Sequence, residues 1–336
     1  MNKPKFTVEI YHDIAAHLAG ISEKEFFTEP EKLIKAWKYA TDWTLETFKG
    51  RLKPRVPSAA PLSYGHLACL GAPIKYSESA EPNVLPATRD IDEAIRMLKD
   101  MRSIDFTQCP IFKRYKEVSD QVRSVYPNAP IVGGLFFEGP LTSAALYLGE
   151  DFYGYILEEP EKTREFLELM TKSILEFKYQ VNRFCGEPEK HPVIGRLPDD
   201  IASMVPPRLW ESFVLPYWKM YYEGATTTKS RFLHCESLTP EQLPYIKQAG
   251  VTFYQPSVSP RLSLKDLSAS GLTFDWLIYA FDIPHLSDTE LEARMRAAMN
   301  AGASNIRTQF GAYAIKNGYI DRIIAFMDIG DRLLNE

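Results

Sequence analysis

From about residue 50 onward, short apolar runs alternate with long amphipathic stretches, and this alternation limits the fold more than any composition figure. The strand-like runs are "VPSAAPL" 56–62, "IVGGLFF" 131–137, "HPVIGRL" 191–197, "SRFLHC" 230–235, "VTFYQP" 251–256, "FDWLIYAF" 274–281 and "NIRTQF" 305–310. Between them lie helix-like stretches such as 159–184, 206–224, 287–302 and 318–334, several opened by a Ser, Thr or Asp cap or an early Pro and closed by Gly. Strands separated by helices cannot pair as hairpins, so they form a parallel sheet through right-handed crossovers. Seven candidates, with an eighth sought in 72–78, predict an α/β fold, a TIM-type (β/α)8 barrel. An open doubly wound sheet is the weaker option, because no GxGxxG follows the first strand.

The first part of the chain reads differently. Leu33, Trp37, Ala40, Trp43, Leu45 and Phe48 recur at helical spacings and Gly50 follows as a stop, so residues 1–54 are expected to be an N-terminal helical extension and 55–336 the barrel. Hydrophobic residues make up 45% of the chain, ample for a closed core. A formal charge of −5 argues against nucleic acid as a partner. The cysteines, 69, 109, 185 and 235, form no CxxC pair, which excludes a sequence-local thiolate metal site. With no secretory pattern at the N-terminus and no long apolar run, the expectation is a cytoplasmic protein with no membrane partner, for which a homodimer is admissible.

In a barrel of this type the chemistry lies where strands end and loops begin. Those ends carry Tyr64 and His66, then Phe137 and Glu138, then Asp199 and Asp200, then His234, Cys235 and Glu236, then Tyr254 and Gln255, then Arg307, Gln309 and Tyr313. Each has an ordinary structural reading beside the functional one. A strand-end aspartate often caps a helix. Glu138 follows a very apolar run and must be paired, hydrogen-bonded or raised in pKa. Arg307 lies inside an apolar strand, where an ion pair is as good a reading as a clamp for an anion. His66 and Tyr64 flank a glycine, where loop hydrogen bonding is the default. His234 and Glu236 are the sharper case, because strand residues two apart point the same way and can share one metal or one substrate. Cys235 then points away and is expected to be buried and inert.

The stretches "VGGLFFEGPLTSAALYLGEDFYGYILEEPEKTREFLELMTK" 132–172, "IGRLPDDIASMVPPRLWESFVLPYWK" 194–219, "LHCESLTPEQLPYIKQAGVTFYQP" 233–256 and "AMNAGASNIRTQFGAY" 298–313 resemble the uroporphyrinogen-decarboxylase superfamily. The resemblance runs in order over about residues 55–335 and implies a barrel with a ligand pocket at its C-terminal rim. The arginine-rich signature with which the decarboxylases hold porphyrinogen carboxylates is missing from "VPSAAPLSYGHLACLGAPIKY", so porphyrinogen decarboxylation is not expected. The chain is more similar to the corrinoid-linked methyltransferase branch, and to the O-demethylase methyltransferase I type within it. In thiol-using members of that branch a His-x-Cys and a later Cys bind zinc; here Glu236 stands in the first cysteine's place and "TQFGAY" has no cysteine.

The resemblance therefore implies a methyltransferase moving methyl from a small methoxylated or methylated substrate to cobalamin (a corrinoid) carried by a separate protein. His234 and Glu236 would hold zinc as a Lewis acid, with Asp199, Asp200 or Glu138 as a third ligand. Glu138, Asp199, Asp200 and Arg307 would serve catalysis, and Tyr64, His66, Phe137, Tyr254, Gln255, Gln309 and Tyr313 would line the substrate site. The rivals are a metal-free decarboxylase or lyase acting on a small acidic substrate, and a non-catalytic ligand-binding barrel.

Overall fold

The computed structural model describes residues 3–101 and 103–336. Its strands are β1 (Lys5–Ile10), β2 (Ile74–Lys75), β3 (Asn83–Val84), β4 (Gly195–Pro198), β5 (Arg231–His234), β6 (Phe253–Gln255), β7 (Thr273–Leu277) and β8 (Asn305–Phe310). Six of them pair in parallel, in the order β1-β8-β7-β6-β5-β4. Two less regular segments continue the ring. Leu62 and Leu135 form a single parallel bridge, and Gly139 N–H donates to the Pro198 carbonyl at the end of β4 at 2.6 Å. Prolines 57, 61 and 130 remove backbone donors there, and Gly133 and Gly134 remove side chains, so a regular ladder does not form. The result is the TIM-type α/β architecture, with helices between successive strands.

One expectation is corrected at the N-terminus. Residues 5–10 are not helical: they form β1, which pairs with β8 from Lys5↔Asn305 to Ile10↔Phe310 and supplies a strand of the main sheet. The alternation Phe6, Val8, Ile10 against Thr7, Glu9 is the strand period, overlooked beside the stronger helical pattern that follows. The rest of that segment is helical, in Asp13–Ala19, Glu23–Thr28 and Pro30–Phe48, and Trp37 ties it to the ring by donating to the Ser58 carbonyl at 2.7 Å. The eighth strand sought in 72–78 is also corrected: β2 forms an antiparallel hairpin with β3, away from the main sheet. The tip of this hairpin reaches the barrel mouth, where the Glu78 carbonyl accepts from Glu23 N–H at 3.1 Å.

Packing against the sheet is fastened by buried tyrosines. On helix Leu215–Ala225, Tyr221 and Tyr222 donate to the carbonyls of Arg196 (2.6 Å) and Phe232 (2.9 Å). Each buries a large ring while its hydroxyl is satisfied, so neither bears the cost of an orphaned polar group. Among the described residues no helix is long and apolar enough to cross a membrane.

Gly134 has φ +74°, and a Cβ there would lie 2.4 Å from the Ala60 carbonyl oxygen and 2.5 Å from that of Ala59. Both the left-handed backbone and the contact with a neighbouring segment demand glycine. Gly134→Ala should destabilise the protein by about 2 kcal/mol or more, read as a lower urea midpoint.

Candidate active site

A chain of polar side chains crosses the barrel mouth with one member on each of five adjacent strands. His234 on β5 has Nδ1 2.8 Å from Gln255 Oε1 on β6, and Gln255 Nε2 donates to Asp275 Oδ2 on β7 at 2.9 Å. Asp275 Oδ2 lies 3.4 Å from Arg307 Nε on β8, and Arg307 Nη1 donates to Glu9 Oε2 on β1 at 2.8 Å. Arg307 also donates to Gln309 Oε1 (3.2 Å) and Ser257 Oγ (3.2 Å). The guanidinium is thus committed to the frame rather than free to clamp a substrate anion. Burial pushes the Asp275 carboxyl up, and Arg307 opposes that shift.

The chain also orients His234. Because the Gln255 amide gives its N–H to Asp275, its carbonyl faces the imidazole, and Nδ1 must carry the proton. In neutral histidine Nε2 is then the lone-pair nitrogen, and it lies 3.7 Å from Asp200 Oδ1. Asp200 is itself positioned by Glu236 N–H, which donates to Oδ1 at 2.7 Å. The Glu236 carboxylate turns aside and accepts from Val258 N–H at 3.4 Å. Among the described residues no group of three or more His, Cys, Asp or Glu side chains stands where it could hold a metal ion. A protein zinc site takes three or four side-chain donors, so these residues do not fit the zinc that the resemblance implies for His234 and Glu236.

Glu138 stands across the mouth as an acid rather than a carboxylate. Burial, followed by the charges of Asp200 and Asp199, raises its pKa from 4.5 to about 8, against a hydrogen bond from Ser63 that lowers it. Glu138 therefore holds its proton to a higher pH than an ordinary glutamate. Gly139 makes this approach feasible, since a Cβ there would meet Asp199 Cβ and Cγ at 2.5 Å. Tyr64 is half-buried nearby, its hydroxyl pushed up first by burial and then by Glu138.

Three residues expected at the site are buried in the frame. Asp199 has no exposure; it accepts from Thr142 N–H (2.7 Å), Leu141 N–H (3.3 Å) and Trp218 Nε1 (2.6 Å), capping helix Pro140–Leu148. Burial raises its pKa to about 6 and these bonds restrain the rise. His66 is enclosed by Phe106 and Phe177, with Nε2 2.9 Å from Ser173 Oγ, and burial drives its pKa down to about 3. Tyr254 is fully buried and donates to the Cys235 carbonyl at 2.8 Å. Phe137 is partly buried against Phe177 and Tyr221. Cys235 is buried, as expected, and its thiol points at the Asp199 carbonyl at 3.1 Å.

Two cavities open where β1, β7 and β8 end, and Tyr11, Glu81 and Gln309 line both. One of about 550 Å³ also takes Glu9, Arg55 and Ser63. The other, of about 640 Å³, is lined by Tyr279, Phe281 and Tyr313 and by Asp13 and Glu23. Burial, then Asp13 and Glu81, raises Glu23 to about 7, while burial lowers His12 to about 4. Glu9, Tyr11, His12 and Glu81 were missed in the sequence because they lie on β1, in the two residues after it, or in the β2–β3 hairpin; a glutamate inside the alternating "FTVEI" is the signal that marks Glu9.

The model of the uroporphyrinogen decarboxylase (URO-D) family matches residues 64–270. Among solved structures, a methyltransferase from Methanosarcina mazei superposes with a TM-score of 0.68 at 14% identity, covering 99% of this chain and 95% of that one. At that identity the likeness speaks for the fold. No curated protein matches the sequence.

Arg307→Ala leaves the buried Asp275 without its counter-charge and should cost about 3 kcal/mol or more, seen as a lower urea midpoint. For Glu138 the folded pKa of about 8 lies above the reference 4.5, so the folded state holds a proton that the unfolded state has lost. Stability should fall as pH rises from about 4.5 to about 8, and Glu138→Gln should flatten that slope in denaturation measured across the interval.

Proposed function

The chain belongs to the uroporphyrinogen decarboxylase family, and on that premise we propose that it is a methyltransferase. It takes a methyl group from a small methoxylated or methylated donor bound at the barrel mouth and passes it to a corrinoid carried by a separate protein. The feature that carries this reading is Glu138, which stands at a strand end where Gly139 lets the chain approach Asp199, and whose pKa is pushed up to about 8 by burial and then by Asp200 and Asp199. A methyl ether yields its methyl to a nucleophile only when the departing oxygen is relieved of negative charge. Zinc could do this as a Lewis acid, but His234, Asp200 and Glu236 do not assemble its ligand set. A proton held at Glu138 does the same work by general acid catalysis. The bound corrinoid supplies the nucleophile.

The remaining residues take supporting parts. The lone-pair Nε2 of His234 and Oδ1 of Asp200 face one another at 3.7 Å and can accept hydrogen bonds from a bound donor. Gln255, Asp275 and Arg307 hold the imidazole in that tautomer. Gln309 lines both mouth cavities and Tyr313 the larger one; Glu138 lines neither and meets the smaller through its hydrogen bond from Ser63. Phe136 and Phe281, exposed at 52% and 65% on loops after strand positions, and Met204, exposed at 61% at the end of the short 3-10 helix Asp200–Met204, offer apolar contacts to a docking carrier. Against the decarboxylase alternative stands Arg307, already paired with Glu9 and Asp275 and so not available to an acidic substrate.

The test is methyl transfer from a methoxylated aromatic compound to a reduced corrinoid, followed by the absorbance change of the corrinoid. Turnover is expected, and Glu138→Gln should lower kcat by about 100-fold or more with little change in KM. Carbon dioxide release from an acidic substrate without any corrinoid, and no methyl transfer, would replace this reading with the lyase.

A further inference from the structure

The larger mouth cavity has a composition that methyl transfer by itself does not require. One wall is aromatic: Phe281 and Tyr313 stack with centroids 4.1 Å apart and planes 17° apart, and Phe281 is 65% exposed. The lining is also acidic. Asp13, Glu23 and Glu81 belong to it, and none of them makes a salt bridge to Lys or Arg among the described residues. Lys316 lines the same cavity, and the carboxylates outnumber it. His12, which lines the smaller cavity and has 4% side-chain exposure, holds Nε2 3.6 Å from Glu81 and 3.9 Å from Glu23, too far for a hydrogen bond to either. Of the residues lining the larger cavity, Asp13 Oδ1, Glu23 Oε2 and the Tyr313 hydroxyl are buried without a partner among the described residues, while Asp13 Oδ2 accepts from Ala312 N–H at 3.0 Å. Orphaned polar atoms are rare enough that three around one cavity call for an occupant.

We propose that this cavity receives an ammonium group: the methyl donor is a small organic cation, its charge seated between the Phe281–Tyr313 pair and the carboxylates of Asp13, Glu23 and Glu81. The word "donor" rests on the function proposed above, whereas the cation site rests on the cavity alone. An alkylated ammonium spreads its charge over its carbon substituents and asks for no tight coordination shell. An aromatic face attracts it through the ring quadrupole, and carboxylates held beyond contact neutralise it at longer range. A compact metal ion needs the opposite, and these carboxylates do not converge for one. The raised pKa of Glu23 is due first to burial and then to the charges of Asp13 and Glu81, with Lys316 opposing, and a cation would relieve the part due to charge.

The full chain titrated calorimetrically with choline and with 3,3-dimethylbutan-1-ol, its uncharged isostere, decides the matter. The cation should bind about tenfold more tightly than the alcohol or better, and Phe281→Ala and Glu81→Gln should each weaken choline by about threefold or more. Both residues lie at the exposed rim, so these variants keep the fold. Equal affinity for the two probes would reduce the site to an apolar hollow and overturn the proposal, as would no binding of either. Methyl transfer from a neutral methoxylated compound with no choline binding would sink the cation site and leave the methyltransferase standing. Choline binding with no methyl transfer from any donor would do the reverse.

Discussion

Arg307 is the charge on which the barrel mouth is built. It is 3% exposed and stands between a buried carboxylate, Asp275, and the solvent-facing Glu9. A guanidinium cannot shed its proton to escape burial, so its partners must come to it. Through Asp275 and Gln255 the same charge reaches His234 and dictates which imidazole nitrogen carries hydrogen. Five strands are thereby aligned at their functional ends by one electrostatic requirement, over and above the backbone ladder that pairs them.

Around that charge the mouth divides into acids of different strength, and burial draws the division. Glu138 and Glu23 are pushed up to about 8 and about 7 by desolvation, with neighbouring carboxylates adding to it. Asp199 is more completely buried than either, yet its pKa stops near 6 because two backbone N–H groups and an indole N–H hold the charged form. Carboxyl groups of similar intrinsic strength thus become a proton store and a structural cap. The low-dielectric wall supplies the shift, and the hydrogen bonds select which group resists it.

Some of this was open to reading in the sequence. "NIRTQF" at 305–310 coincides with β8, and "SRFLHC" at 230–235 contains β5, because a short β-rich run between amphipathic helices has few other ways to fold. The gathering of Glu138, Asp200, His234, Gln255, Arg307 and Gln309 near one mouth follows from placing strand ends on a barrel. β1 escaped notice because six residues ahead of a strong helical pattern look like its approach, and only β8 makes them a strand. The hairpin residue Glu81 carries no local sign at all: it reaches the cavity by the path of a loop.

The sequence by itself determined the alternation of strands and helices, hence the fold class, and the set of reactive side chains at the strand ends. It did so because hydrophobic periodicity and chain connectivity are local properties that survive in one dimension. The tertiary structure decided which member of each pair faces the mouth. Asp199 is sealed under helix Pro140–Leu148 while Asp200 meets His234, and Tyr254 is sealed while Gln255 joins the polar chain. Strand period alternates the two faces, but only the neighbouring strands and helices set the phase. The same holds for charge state, since the proton on Glu138 and the tautomer of His234 depend on distances between residues far apart in the chain.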